Sequence, residues 1–187
     1  MRRSQRGVFE TLAGLPNIIL NSPTGWGKTT VLIFLAVRKL LTSPASKILI
    51  TVPQRIIGEG FVRPMEVELP DGARCNWGAI DLCEKSPGKV ARLVRWNSTP
   101  GGEAECRIIV TTHASLVAAH ARLGDPSRAF ADTTVIIDEG HHLRAGEDED
   151  EGRNRLGCVA NGLIDLGVPV WLATAFFFRG DKLPILE

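Results

Sequence analysis

Ser22-Pro23-Thr24-Gly25-Trp26-Gly27-Lys28-Thr29-Thr30 separates two apolar segments, and its reading decides the fold. Upstream, Asn17 to Asn21 (NIILN) is short, apolar and strand-like. Downstream, Gly27 to Leu41 has the length and composition of a helix, closed by Thr42-Ser43-Pro44. A glycine-rich turn from strand to helix that carries a lysine and hydroxyls has a definite chemistry. Gly25 and Gly27 let backbone N–H groups turn inward around phosphate oxygens. The positive end of the following helix adds to the field there. Lys28 places a cation on the β- and γ-phosphates, and Thr29 offers a hydroxyl to Mg²⁺. The stretch predicts a site for the phosphates of a nucleoside triphosphate and Mg²⁺ built from Ser22, Pro23, Thr24, Gly25, Trp26, Gly27, Lys28, Thr29 and Thr30. A plain connecting turn would leave the lysine and both threonines idle.

Outward from this loop, short apolar runs alternate with amphipathic segments. Lys47 to Val52, Arg107 to Thr112, Thr133 to Asp138 and Val168 to Thr174 are continuous apolar runs rather than alternating ones. That is the pattern of strands covered on both faces. Helices are expected over Arg55 to Met65, Ala114 to Leu123 and Arg155 to Leu166, and a short one from Pro87 through Trp96, where Val90, Leu93 and Val94 share a face. The rest of Pro70 to Glu105 is less regular. The predicted class is α/β: three layers around a central, mostly parallel sheet.

The second anchor is Val135-Ile136-Ile137-Asp138-Glu139-Gly140-His141-His142. An apolar strand ending in Asp-Glu puts two carboxylates at the C-terminal edge of the sheet, where open α/β sheets bind ligands. Asp138 suits the metal, directly or through water. Glu139 suits positioning and deprotonating an attacking water. A metal held by His141 and His142 is disfavoured, because the other histidines, His113 and His120, give no ligand spacing.

Together these stretches resemble the first, N-terminal RecA-like motor domain of superfamily 2 DEAD/DEAH-type (DExH) helicases, of bacterial or phage type. The general GxxxxGKT loop starts with glycine. This chain has Ser22 there, and Ser-x-Thr-Gly-x-Gly-Lys-Thr is the form common in that family. Asp138-Glu139-Gly140-His141 matches the DExH tetrad. By resemblance His141 couples the nucleotide site to the third motif, and Gln5, in Arg2-Arg3-Ser4-Gln5, reads the adenine edge; a polar N-terminal helix turn explains that segment equally well. Thr51-Val52-Pro53-Gln54-Arg55 and Thr111-Thr112-His113 resemble segments that hold the nucleic-acid backbone, which assigns Pro53, Gln54, Arg55, Thr112 and His113 to such contacts. Each also serves as an ordinary strand-to-helix cap. Val170 to Asp181 occupies the place of the third motif and gives Thr174 a coupling role. It departs from the usual Ser/Thr-Ala-Thr by one hydroxyl, which puts in doubt the coupling between hydrolysis and movement.

The resemblance implies a nucleic-acid partner, DNA or RNA with DNA favoured, and a second RecA-like domain in cis or trans. No QxxGRxxR-like stretch occurs here. The expectation is one domain over 1–187, the second domain lying outside this chain, and slow hydrolysis in isolation. A missing arginine finger removes roughly 10³–10⁵ in rate in related NTPases. Two competing readings remain open from the residues: a P-loop kinase or small-molecule NTPase, and a non-catalytic nucleotide-binding module.

Bulk composition is compatible with all three. The chain has 187 residues, 44% hydrophobic and 23% charged, with net charge +1. Glu147 to Glu151 carry −5, so the remainder carries 1 + 5 = +6, a mild excess that tolerates a nucleic-acid partner. Cys75, Cys83, Cys106 and Cys158 form no CxxC pair and are expected as free, partly buried thiols in a reducing cytosol. No signal peptide follows Met1-Arg2-Arg3, and no apolar run approaches the roughly 20 residues of a membrane span. The expectation is a soluble cytoplasmic protein without a membrane partner.

Overall fold

A computed structural model describes residues 1–84, 87–140 and 155–175, the side chains of Arg55 and Ile56 excepted. His141, His142, the acidic run and the Arg179-Gly180-Asp181 ending lie outside the described residues, as does the side chain of Arg55. The chain runs α1 (Arg3–Leu12), β1 (Ile18–Asn21), α2 (Lys28–Thr42), β2 (Lys47–Val52), α3 (Arg55–Val62), β3 (Met65–Glu68), β4 (Arg74–Trp77) and β5 (Ile80–Asp81). It continues with α4 (Lys89–Ser98), a 3-10 turn (Gly101–Glu103), β6 (Ile108–Thr112), α5 (His113–His120), α6 (Pro126–Ala129), β7 (Thr133–Ile137), α7 (Arg155–Asp165) and β8 (Val170–Thr174).

Six strands form one sheet in the order β1-β8-β7-β2-β6-β5, and every pairing is parallel. The continuous apolar runs follow directly from this. Ile48, Ile50 and Val52 face one core with Phe9, Leu32, Leu35 and Phe61 of α1 to α3. Leu49, between them, faces the other core with Leu93, Leu116 and Leu163 of α4, α5 and α7. With both faces covered, neither set of alternate positions is free to be polar. The three-layer expectation therefore holds, with a fully parallel central sheet.

Several boundaries differ. The helix expected through Met65 stops at Val62, and Met65 opens a two-stranded antiparallel hairpin of β3 with β4, paired Val67 to Cys75. Its signal was present: Met65 to Leu69 alternates, and Pro70-Asp71-Gly72 is a turn sequence. The hairpin is held by Trp77, 2% exposed, whose indole N–H donates to the Phe61 carbonyl at 2.7 Å. The helix expected to begin at Pro87 begins at Lys89 and runs to Ser98, and α5 ends at His120 rather than Leu123. The N-terminal turn is a full ten-residue helix, α1. Its Phe9 sets an edge against Phe34 of α2 at 6.3 Å.

At the N-terminal end of the sheet, Lys47 is 1% exposed. Its Nζ donates to the carbonyls of Trp96, Asn97 and Thr99 at 3.0, 2.9 and 2.7 Å, closing the end of α4. Burial pushes its pKa down to about 8, against the pull of Asp132. None of the four cysteines is in a disulfide; Cys83 is buried, and Cys158 is exposed rather than partly buried.

Candidate nucleotide site and its link to the neighbouring strand ends

The parallel sheet puts the C-terminal ends of β1, β8 and β7 side by side. Asn21 pairs with Thr174 and Ile137 with Leu172. β8 is thus the single strand between the glycine-rich loop and the Asp-Glu pair. Two strand spacings are about 10 Å, a separation that a polyphosphate with its cation can bridge.

The loop leaves β1 with Ser22 N–H donating to the Thr174 carbonyl at 3.1 Å. Gly25 has φ +78 and Gly27 has φ +100, both in the left-handed region. A Cβ at Gly27 would in addition crowd Gln5 Nε2 and make that amide move. Lys28, 8% exposed, begins α2 and donates from Nζ to the Ser22 carbonyl at 3.0 Å, spanning the loop. Thr29 and Thr30 are half-buried on the first turn of α2, Trp26 is half-buried, and Pro23, Thr24 and Gly25 are exposed. Asn21, Ser22, Pro23, Thr24 and Ala175 line a cavity of about 400 Å³. The Ser22 hydroxyl is buried beside it without a hydrogen-bond partner among the described residues. A buried hydroxyl of this kind is stabilised by a partner that arrives with a ligand.

Asp138 follows β7 and is 4% exposed. Burial, and then the charge of Glu139, push its carboxyl up to about 6, while the Glu139 N–H and the charge of Lys28 oppose the shift. Lys28 and the Asp138 carboxylate therefore act on one another electrostatically. Two adjacent carboxylates, one of them buried, make an arrangement that a divalent cation relieves. The residues present fit Mg²⁺ in that sense. No group of three or more His, Cys, Asp or Glu side chains that could hold a metal ion occurs among the described residues.

Gln5 is buried on α1, and its amide is engaged at both ends. Oε1 accepts from the Arg2 N–H at 2.8 Å, and Nε2 donates to the Trp26 carbonyl at 2.8 Å. Gln5 thus ties α1 to the loop backbone. Pro53 and Gln54 follow β2, where Gln54 is the residue before α3. Thr112 caps α5 by accepting from the Ser115 N–H at 3.3 Å, and His113 Nε2 lies 3.1 Å from the Asp138 carbonyl oxygen. All of these stand on the same sheet edge as the loop, because β2 and β6 are the next strands beyond β7. Thr174 is buried at the end of β8. The tether by Gln5, the His113 contact and the φ of +53 at Glu139 are features that no sequence pattern announced. A larger cavity of about 530 Å³, among Phe9, Leu35, Arg38 and Trp171, holds none of the predicted site residues.

Residues 1–162 match the family described as "Type III restriction enzyme, res subunit". The chain belongs to that family. The Bacillus subtilis (strain 168) protein named "Putative ATP-dependent helicase YeeB" is 28% identical over 192 residues, an alignment covering 100% of this chain and 29% of that one. Among solved structures, the Pyrococcus furiosus Hef helicase domain superposes with TM-score 0.63 at 18% identity, covering 98% of this chain and 34% of that one. The DUF1998 helicase MrfA, crystallised with DNA and AMPPNP, gives TM-score 0.53 at 16% identity, covering 96% of this chain and 24% of that one. The family member described here thus has the fold of a superfamily 2 N-terminal RecA-like domain, and it spans about a third or less of these relatives.

Proposed function

We propose that this chain is the ATP-binding and hydrolysing half of a nucleic-acid helicase or translocase, completed by a second RecA-like domain in cis or trans. One observation carries the reading: Lys28 and the Asp138-Glu139 pair share one sheet edge, one strand apart, with the buried Asp138 carboxyl raised to about 6. In this reading the loop N–H groups and Lys28 bind the triphosphate. Lys28 gives up its bond to the Ser22 carbonyl for the β- and γ-phosphates, and the Ser22 hydroxyl gains its partner. Thr29 and Asp138 hold Mg²⁺, which when bound neutralises phosphate charge. Glu139 orients the attacking water and takes its proton.

The nucleic-acid side consists of Pro53, Gln54, Arg55, Thr112 and His113, at the ends of β2 and β6. These groups suit phosphates rather than bases. DNA is the favoured partner, in keeping with the DNA bound to MrfA. His141 and Thr174 couple the two sides. A cytoplasmic location goes with free cysteines and with the lack, among the described residues, of any helix long and apolar enough to cross a membrane. The test is nucleotide affinity. Trp26, on the loop, is half-buried, whereas Trp77, Trp96 and Trp171 are 8% exposed or less, so a ligand at the loop should change the emission of Trp26 against the steady signal of the other three. Wild type should bind ATP–Mg²⁺ with a fluorescence change and Lys28→Ala should not; equal affinity in the two defeats the reading.

A further inference from the structure

The Asp138-Glu139 peptide bond is one rigid plane carrying one acceptor and one donor. Its donor, the Glu139 N–H, is held by Asp138 Oδ1 at 3.1 Å. Its acceptor, the Asp138 carbonyl, is 3.1 Å from His113 Nε2. A carbonyl can only accept, so His113 donates, and Nε2 carries the proton. The Asp138 N–H, one peptide earlier, donates to the Thr51 carbonyl of β2 at 2.9 Å. The turn is thus fastened from two neighbouring strand ends, to β2 through its backbone and to the start of α5 through a side chain. Beyond it, Glu139 holds a φ of +53, a conformation a non-glycine residue keeps only where its surroundings fix it.

We propose that His113 is a positioning residue: it fixes the plane of the Asp138-Glu139 peptide and thereby aims the Glu139 carboxylate at the attacking water. His113 is also the first residue of α5, directly after the capping Thr112. A nucleic-acid backbone drawn against Thr112 at the end of β6 displaces the imidazole and the peptide together. The link runs from the phosphate-contacting edge to the water-orienting group through one hydrogen bond, in addition to whatever passes through His141. The inference rests on the motor reading above and gives His113 a second task beside the phosphate contact proposed for it.

The test compares wild type, His113→Ala and His113→Gln in the full chain. Glutamine can offer an amide N–H in place of Nε2–H. Titration with ATP–Mg²⁺, read by Trp26 fluorescence, gives affinity; ATP hydrolysis is followed with and without a single-stranded DNA oligonucleotide. Expected for His113→Ala is nucleotide affinity and KM within about twofold of wild type but lower kcat, the mark of a group that acts on the transition state. A loss of about a hundredfold matches misplacement of a reacting group by one ångström. His113→Gln should recover most of it. Long-range proton–nitrogen NMR of wild type should show a protonated Nε2 protected from exchange, absent in both variants. An unchanged kcat in His113→Ala, a His113→Gln as slow as the alanine variant, or an unprotonated Nε2 overturns the proposal. So does a loss confined to DNA affinity, with kcat intact at saturating DNA. If wild type binds no ATP–Mg²⁺, the motor reading itself fails, and the NMR signal still decides whether His113 holds the peptide.

Discussion

The contact between Gln5 and Gly27 offers a quantitative probe of the loop. A methyl group at Gly27 meets two obstacles. The φ of +100 is unfavourable for any residue with a Cβ, costing roughly 1–2 kcal/mol. That Cβ would also stand 2.3 Å from Gln5 Nε2, so the amide must leave the Trp26 carbonyl, at about 1 kcal/mol for the lost hydrogen bond. Gly27→Ala should therefore destabilise by about 2–3 kcal/mol. Gln5→Ala alone loses its bonds to the Trp26 carbonyl and the Arg2 N–H, at about 1 kcal/mol each, or about 2 kcal/mol in all. In the double variant the bond to Trp26 can be lost only once, so the sum should fall short of additivity by about 1 kcal/mol. For a chain of this size 1 kcal/mol is about 2–4 °C in Tm. Thermal unfolding of the four proteins measures the cycle, and Trp26 fluorescence reports whether each still binds ATP–Mg²⁺. Shifts that add to within about 0.4 kcal/mol would refute the claim that Gln5 and Gly27 compete for one space. The loop would then tolerate a Cβ for reasons this geometry does not contain.

Other outcomes follow from the same structure. A Cβ on Gly140 would lie 1.9 Å from Leu172 Cδ1, and Leu172 is fully buried, so Gly140→Ala should lose about 1–3 kcal/mol in urea unfolding; a wild-type midpoint would show that the Asp-Glu turn is not pressed against β8. Lys47 has its pKa lowered to about 8 from 10.5. Between those values the unfolded chain binds more protons, so this group adds stability as pH rises from 8 toward 10.5. Wild type should accordingly gain on Lys47→Met across that range, by at most about 3 kcal/mol; parallel urea midpoints for the two proteins would contradict it. Trp26→Phe should retain ATP–Mg²⁺ binding by calorimetry while losing the fluorescence response, and a response that survives would assign the signal to another tryptophan.

The strands and the two chemical anchors were legible because their signals are local. A parallel strand covered on both faces must be apolar along its length, and β2, β6, β7 and β8 each announce that within five or six residues. The loop from Ser22 to Thr30 carries its own backbone requirement in its glycines. The hairpin of β3 and β4 was missed even though its turn residues are plain, because a helical reading of the segment before it was extended to Met65.

What the chain order alone determined, then, is which groups exist for phosphate chemistry: a lysine after two glycines, and two carboxylates at the end of an apolar strand. Only the tertiary structure decided that β8, the last strand described, inserts between β1 and β7 and so sets those groups one strand apart. It alone turned Gln5 onto the loop and His113 onto the Asp138 carbonyl, because contacts separated by 21 and 25 residues depend on how helices seat against the sheet. Strand order and side-chain seating are products of packing between distant segments, and short-range sequence patterns hold no record of them.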